Sequence, residues 1–226
     1  MLRTIASFLI LTILSISVFA QDVTKVKKNK LKNLYVAPSA GIEFMSIKKY
    51  DTEKNGFYVV YKGVPSVRLG ADVDYKQSEK LTVHTGLFFS AKNFNRTETN
   101  KEGNSAYFYD QKFKNHYIET LIGAAYNFVS GRVDLGAYGN LNFGYLLTST
   151  ETRLTETGNK FINNTKPGFN KFLGNFEPGF KLNYNINYRF SFGVKTGYRL
   201  YFNSISIDKK FNNNGVLVQT GLFYKF

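Results

Sequence analysis

Apolar and polar residues alternate one for one along most of this chain. In "YRFSFGVKTGYRLYF" (188–202) the even positions hold Tyr, Phe, Phe, Val, Thr, Tyr, Leu and Phe. The odd positions hold Arg, Ser, Gly, Lys, Gly, Arg and Tyr. A period of two belongs to a β-strand with one apolar and one polar face. Eight such segments occur, at about 34–46, 64–75, 81–92, 116–128, 132–147, 172–184, 188–202 and 216–226. Most exceed the ~5–6 residues usual for soluble strands and suit tilted strands that cross a bilayer in about 9–11 residues. The connections alternate too. Short polar turns lie around Gln77–Lys80, Ser130–Gly131 and Asn185–Asn187, and long polar stretches cover 48–63, 95–115, 149–171 and 203–215. An even strand number, with short turns at one end and long loops at the other, predicts an all-β, eight-stranded antiparallel transmembrane up-and-down β-barrel. Both ends of the barrel domain then fall at the short-turn, periplasmic side. The loop aromatics Phe57, Tyr58, Tyr61, Tyr107, Phe108 and Tyr109 either extend the barrel as paired sheet or offer a contact surface for another protein.

Period two alone does not say which face is inside, because a soluble lipocalin-like barrel also alternates. Glycine placement decides. Gly41, Gly70, Gly86, Gly123, Gly136, Gly144, Gly179, Gly193, Gly197 and Gly221 share the polar face, whereas Gly139 and Gly174 sit on the apolar one. An eight-stranded barrel is only just wide enough for its interior side chains, so small residues mark the inside. The polar face is therefore the lumen. Tyr188, Phe190, Tyr198, Phe202, Tyr224 and Phe226 form interfacial girdles on the other face.

The stretch 1–20 has one positive residue, Arg3, an apolar run over about 5–19, and small residues before a cleavage position. It reads as a secretory signal peptide, too short for the ~20 residues of a spanning helix. A basic periplasmic leader (21–32) precedes the barrel domain (33–226). The absence of cysteine excludes a disulfide framework and a Cys-based metal site. The net charge is +14, or +13 without Arg3. For an exported chain this points to anionic lipid headgroups rather than nucleic acid. The four long loops carry about +6 of it, a basic rim turned toward lipopolysaccharide phosphates.

Several segments resemble the PorT-like outer-membrane β-barrel family of Bacteroidota. "TGLFFSAKNF" (85–94) looks like that family's third strand and "HYIETLIGAAYNF" (116–128) like its fourth. "YRLYFNSIS" (198–206) and the terminal "GLFYKF" fit its last two strands. The resemblance implies an outer-membrane barrel with roles that vary among members, some in protein secretion and gliding, and it brings no catalytic residues. Leu222, Tyr224 and Phe226 resemble the C-terminal signature read by the barrel-assembly machinery.

Chemistry is sparse. The two histidines, His84 on the polar face and His116 at a strand start, have no serine placed for a nucleophile–base pair. No cofactor and no metal site are expected. Strand parity instead gathers charge inside: Glu43, Asp72, Asp74, Glu119, Asp134 and Glu177 against Arg68, Lys92, Lys181, Arg189, Lys195, Arg199 and Lys225. The sequence thus points to a non-enzymatic outer-membrane protein with a structural or interaction role, tied to the envelope or secretion machinery. Its partners would be outer-membrane lipid and lipopolysaccharide, the assembly machinery and an envelope protein. A narrow channel for small solutes or ions and a lipid-modifying enzyme are the alternatives.

Overall fold

The structure, a computed structural model, describes residues 33–48, 57–100, 109–154, 160–163, 168–206 and 212–226. The expected signal peptide (1–20), the leader (21–32), Tyr107 and Phe108 lie outside these residues, as do the side chains of Phe57, Tyr58 and Tyr109. Ten strands are formed: β1 (Leu34–Lys48), β2 (Phe57–Val64), β3 (Ser66–Lys76), β4 (Leu81–Asn100), β5 (Tyr109–Val129), β6 (Val133–Leu154), β7 (Lys160–Asn163), β8 (Phe172–Asn185), β9 (Phe190–Tyr201) and β10 (Asn212–Lys225). All pairings are antiparallel, in the order β4-β3-β1-β10-β9-β8-β6-β5 with β5 returning to β4, while β2 pairs with β4 and β7 with β6. β2 and β3 act as two parts of one stave, and so do β7 and β8, giving an eight-stranded up-and-down barrel.

Closure has a measurable stagger. Following opposed residues from Val36 through Val73, Thr85, Ile122, Leu141, Phe176, Leu200 and Asn214 returns to β1 at Ser46, ten residues further along. For eight strands at the usual rise and spacing this corresponds to a tilt of about 40°.

The faces segregate as the period requires. On β9, Ser191, Gly193, Lys195, Gly197 and Arg199 are buried in the lumen or nearly so, while Phe190, Phe192, Tyr198 and Leu200 are exposed. Around the barrel, Ile122 and Phe180 are about 58% and 62% exposed, against 0% for Lys92 and Arg199. Hydrocarbon outside and charge inside make this a transmembrane barrel, not a soluble one. The outward aromatics form two belts, with Tyr75, Tyr126, Tyr184 and Phe190 toward the short turns and Phe89, Phe143, Tyr145 and Phe172 toward the loops.

Inward glycines make room for inward rings. A methyl group on Gly179 or Gly197 would stand 2.6 or 2.4 Å from Tyr138, and one on Gly70 or Gly86 2.6 Å from Phe88. The two outward exceptions also have a partner: Gly139 lies under Phe176 and Gly174 under Phe202.

All four of the expected loops are partly strand. β2 pairs with β4 from Phe57↔Asn100 to Val64↔Asn93, and β4, β5, β6 and β7 continue the same wall beyond the barrel. The expected fifth strand stops at 147 because a bulge there changes parity. Leu146 points inward, Leu147 and Thr148 are exposed, and Ser149 and Glu151 are buried again. Pro65, which has no N–H for a ladder, marks the corresponding break between β2 and β3.

Candidate functional site: the closed lumen

β1, β3, β4, β5, β8 and β9 each send a charged side chain to the middle of the lumen. Arg199 donates from Nε to Glu177 at 2.7 Å and from Nη1 to Glu43 at 2.8 Å and Glu119 at 3.3 Å. Lys92 bonds to Glu43, to Glu119 at 2.8 Å and to the Ser90 hydroxyl. Arg68 pairs with Glu119 at 3.3 Å, donates to Gln219 at 2.6 Å and stacks on Phe88 at 3.6 Å. The hydroxyls of Tyr201 and Tyr138 donate to the remaining oxygens of Glu43 and Glu177. Three glutamates thus face three cations in a fully buried, neutral knot. Neutrality is what a lumen this narrow requires, because an unpaired buried charge costs several kcal/mol.

A second layer lies toward the short turns. Asp72 accepts from Ser39 and Gln219, both at 2.6 Å, and from Lys195 at 3.1 Å; Asp74 stands 3.7 Å from Lys195. Asp134 pairs with Lys76 at 2.7 Å near the mouth. Lys181 is buried opposite Lys195, and its ammonium meets no hydrogen-bond acceptor. His84 is hydrogen-bonded through Nε2 to Asn140 in the lumen, while His116 stacks on Phe89 outside, ring centroids 5.3 Å apart. The histidines therefore occupy opposite faces of the wall.

Toward the loops the lumen turns apolar. Met45, Ile47, Tyr61, Phe94, Tyr117, Leu146 and Leu173 point inward, and Phe169 and Ile205 drop in from the loop side. Asn170 holds this closure through backbone and side-chain bonds to Ile205 and Ser204. Tyr201 packs against the cap and bonds Glu43, joining cap to knot.

Of the residues expected in the lumen, Glu43, Arg68, Lys92, Glu119, Glu177 and Arg199 meet in the knot, and Asp72, Asp74 and Lys195 meet below it. Arg189 is the correction. β9 begins at Phe190, so Arg189 lies in the turn before it and is exposed at the mouth. Parity read from an assumed strand start at 188 had no force in a turn, where Asn187 Oδ1 accepts from the Arg189 and Phe190 amides. Lys76 was missed because the expected strand ended one residue short; its even parity with Asp72 and Asp74 is the signal that finds it. The apolar cap was also missed, although Met45, Ile47, Phe94 and Leu146 carry lumen parity.

Leu222 and Phe226 are exposed on the outer face with Tyr224 between them. Tyr224 meets Phe226 edge-on at 5.1 Å and Phe190 at 5.3 Å, and the Phe226 amide donates to Leu34 O across the closing seam. Among the described residues no cluster of His, Asp and Glu suited to a metal ion occurs.

No family model matches the chain, and no curated protein matches it in sequence. Among solved structures it is similar to Neisserial surface protein A, at 12% identity over 86% of this chain and 97% of that one, TM-score 0.45. Ail of Yersinia pestis is similar at 13% identity over 86% and 99%, TM-score 0.40. The outer membrane protein OprG of Pseudomonas aeruginosa is similar at 15% identity over 86% and 96%, TM-score 0.37.

Proposed function

We propose that this is a non-enzymatic bacterial outer-membrane protein with a sealed lumen, serving a structural or interaction role in the envelope after export by its N-terminal segment. The observation that carries this reading is the neutral knot of Glu43, Glu119, Glu177, Arg68, Lys92 and Arg199 under an apolar cap. Such a barrel has no continuous aqueous path and works through its surfaces. The outward apolar belt supports a membrane setting, and the closed barrel with short turns at one end supports the outer membrane in particular. Lys62, Lys112 and Lys114, exposed above the belt on the loop side, suit lipopolysaccharide phosphates. A place among the PorT-like barrels rests on the strand motifs given above. The non-enzymatic reading is supported by His84, which is engaged by Asn140 in the lumen with no hydroxyl bonded to it among the described residues.

Purified protein in planar bilayers is expected to give no steady conductance at neutral pH. Stable, ion-selective current would overturn the sealed-lumen reading. Separately, Phe226→Ser removes an outer aromatic and its contact with Tyr224. It is expected to lower the yield of heat-modifiable, membrane-inserted barrel in cell fractions; unchanged yield would count against Leu222, Tyr224 and Phe226 as an assembly signal.

A further inference from the structure

At the short-turn end the lumen widens into two adjoining hollows of about 430 and 280 Å³. Tyr35, Lys76, Asn185 and Lys225 line both. They form one cup at the short-turn mouth, with Ser191 and Asp134 also in its wall. Its cations are arranged by aromatic rings. The Lys76 and Lys225 ammonium groups lie 5.2 and 5.6 Å from the centre of the Tyr35 ring, and the Arg189 guanidinium lies 5.2 Å from that of Tyr188. Lys76 is held by Asp134, and Glu79 lies on the rim. Lys225 and Arg189 meet no carboxylate among the described residues.

The cup is lined by Lys76, Arg189 and Lys225 against Glu79 and Asp134, and Asp134 is taken up by Lys76. Asn33, which lines it, is preceded by a stretch with Lys25, Lys27, Lys28, Lys30 and Lys32 against Asp22. That stretch has the same sign of charge as Lys225 and Arg189. The remaining wall groups are amides, Asn33, Asn185 and Asn187, and the rings of Tyr35, Tyr188 and Phe190. Separated point cations, amides and rings match several carboxylates on a peptide backbone better than one compact anion, which wants converging donors.

We propose that this cup is a docking site for an acidic peptide segment of a periplasmic protein. The inference rests on the interaction role proposed above and deepens it, by giving the envelope partner a chemistry and a place. Binding energy comes from Lys225 and Arg189, whose charge no carboxylate of the described residues neutralises, and is screened by salt.

The test uses the full chain in micelles of zwitterionic detergent, with fluorescein-labelled hexaglutamate as probe and hexalysine as control. Saturable binding of hexaglutamate alone is expected. Arg189→Glu combined with Lys225→Glu should weaken it at least tenfold, and Arg189→Gln with Lys225→Gln at least threefold, should the reversed pair fail to fold. Lys62→Glu with Lys114→Glu, at the opposite end, should leave it unchanged. Equal binding by wild type and the cup variants, or equal loss in the loop-side pair, would overturn the assignment. Displacement by inorganic phosphate at the peptide's own concentration would also overturn it in favour of a simple anion. The outcomes separate from those of the conductance measurement: a conducting barrel that binds hexaglutamate fails only the sealed-lumen reading, and a sealed one that does not bind fails only this inference.

Discussion

Arg199→Ala is expected to destabilise the folded barrel by about 3–5 kcal/mol, the usual cost of removing one partner from a buried ionic group. Arg199 touches all three glutamates of the knot. Without it, Glu43, Glu119 and Glu177 share two cations, Lys92 and Arg68, and one carboxylate charge is left uncompensated. Arg199→Lys keeps the charge but loses the fork that reaches Glu177 from Nε and Glu43 from Nη1, so an intermediate loss is expected. Urea unfolding of the barrel refolded into lipid vesicles measures both. A wild-type midpoint for Arg199→Ala would mean that the knot does not hold the lumen together. Loss of stability should come before any conductance, because the apolar cap is independent of this side chain except through Tyr201.

Val218→Arg is expected to cost about 2–4 kcal/mol, the value for a cation at the bilayer midplane on the lipid face of a barrel. Val218 is exposed between Ile42 on β1 and Thr196 on β9. Its neighbour Gln219 points the other way, accepting from Arg68 and donating to Asp72. Gln219→Ala therefore acts on the lumen, and its effect should not vary with lipid chain length, whereas that of Val218→Arg should. Refolding both variants in bilayers of two thicknesses separates them. A harmless Val218→Arg would place the lipid belt elsewhere.

Much of this was legible in the residue order because side-chain direction in a strand is local. Alternation along 188–202 and 216–226 gave strand, face and approximate limits, and the glycines gave the inside. Parity also found the knot: Glu43, Arg68, Lys92, Glu119, Glu177 and Arg199 each lie an even number of residues from a lumen glycine on their own strand or its neighbour. Parity failed where the backbone departs from a regular strand. The bulge at Leu147 and Thr148 hid the upper half of β6, the break at Pro65 hid β2, and the turn at Asn187 moved Arg189 from lumen to mouth.

Which residues meet across the lumen had a different origin. Glu43 and Arg199 are separated by 156 positions, and Arg68 and Gln219 by 151. No spacing along the chain links them; the ten-residue stagger of closure brings them to one height. The same closure carries Phe169 and Ile205 over Phe94 and Tyr117, so that apolar residues read as loop seal one end. At the other end it leaves Lys76, Lys225 and Arg189 around an open cup. Alternation tells each side chain whether to face lipid or lumen. Its partner there depends on strand tilt and stagger, which are properties of the whole closed sheet and of no single strand.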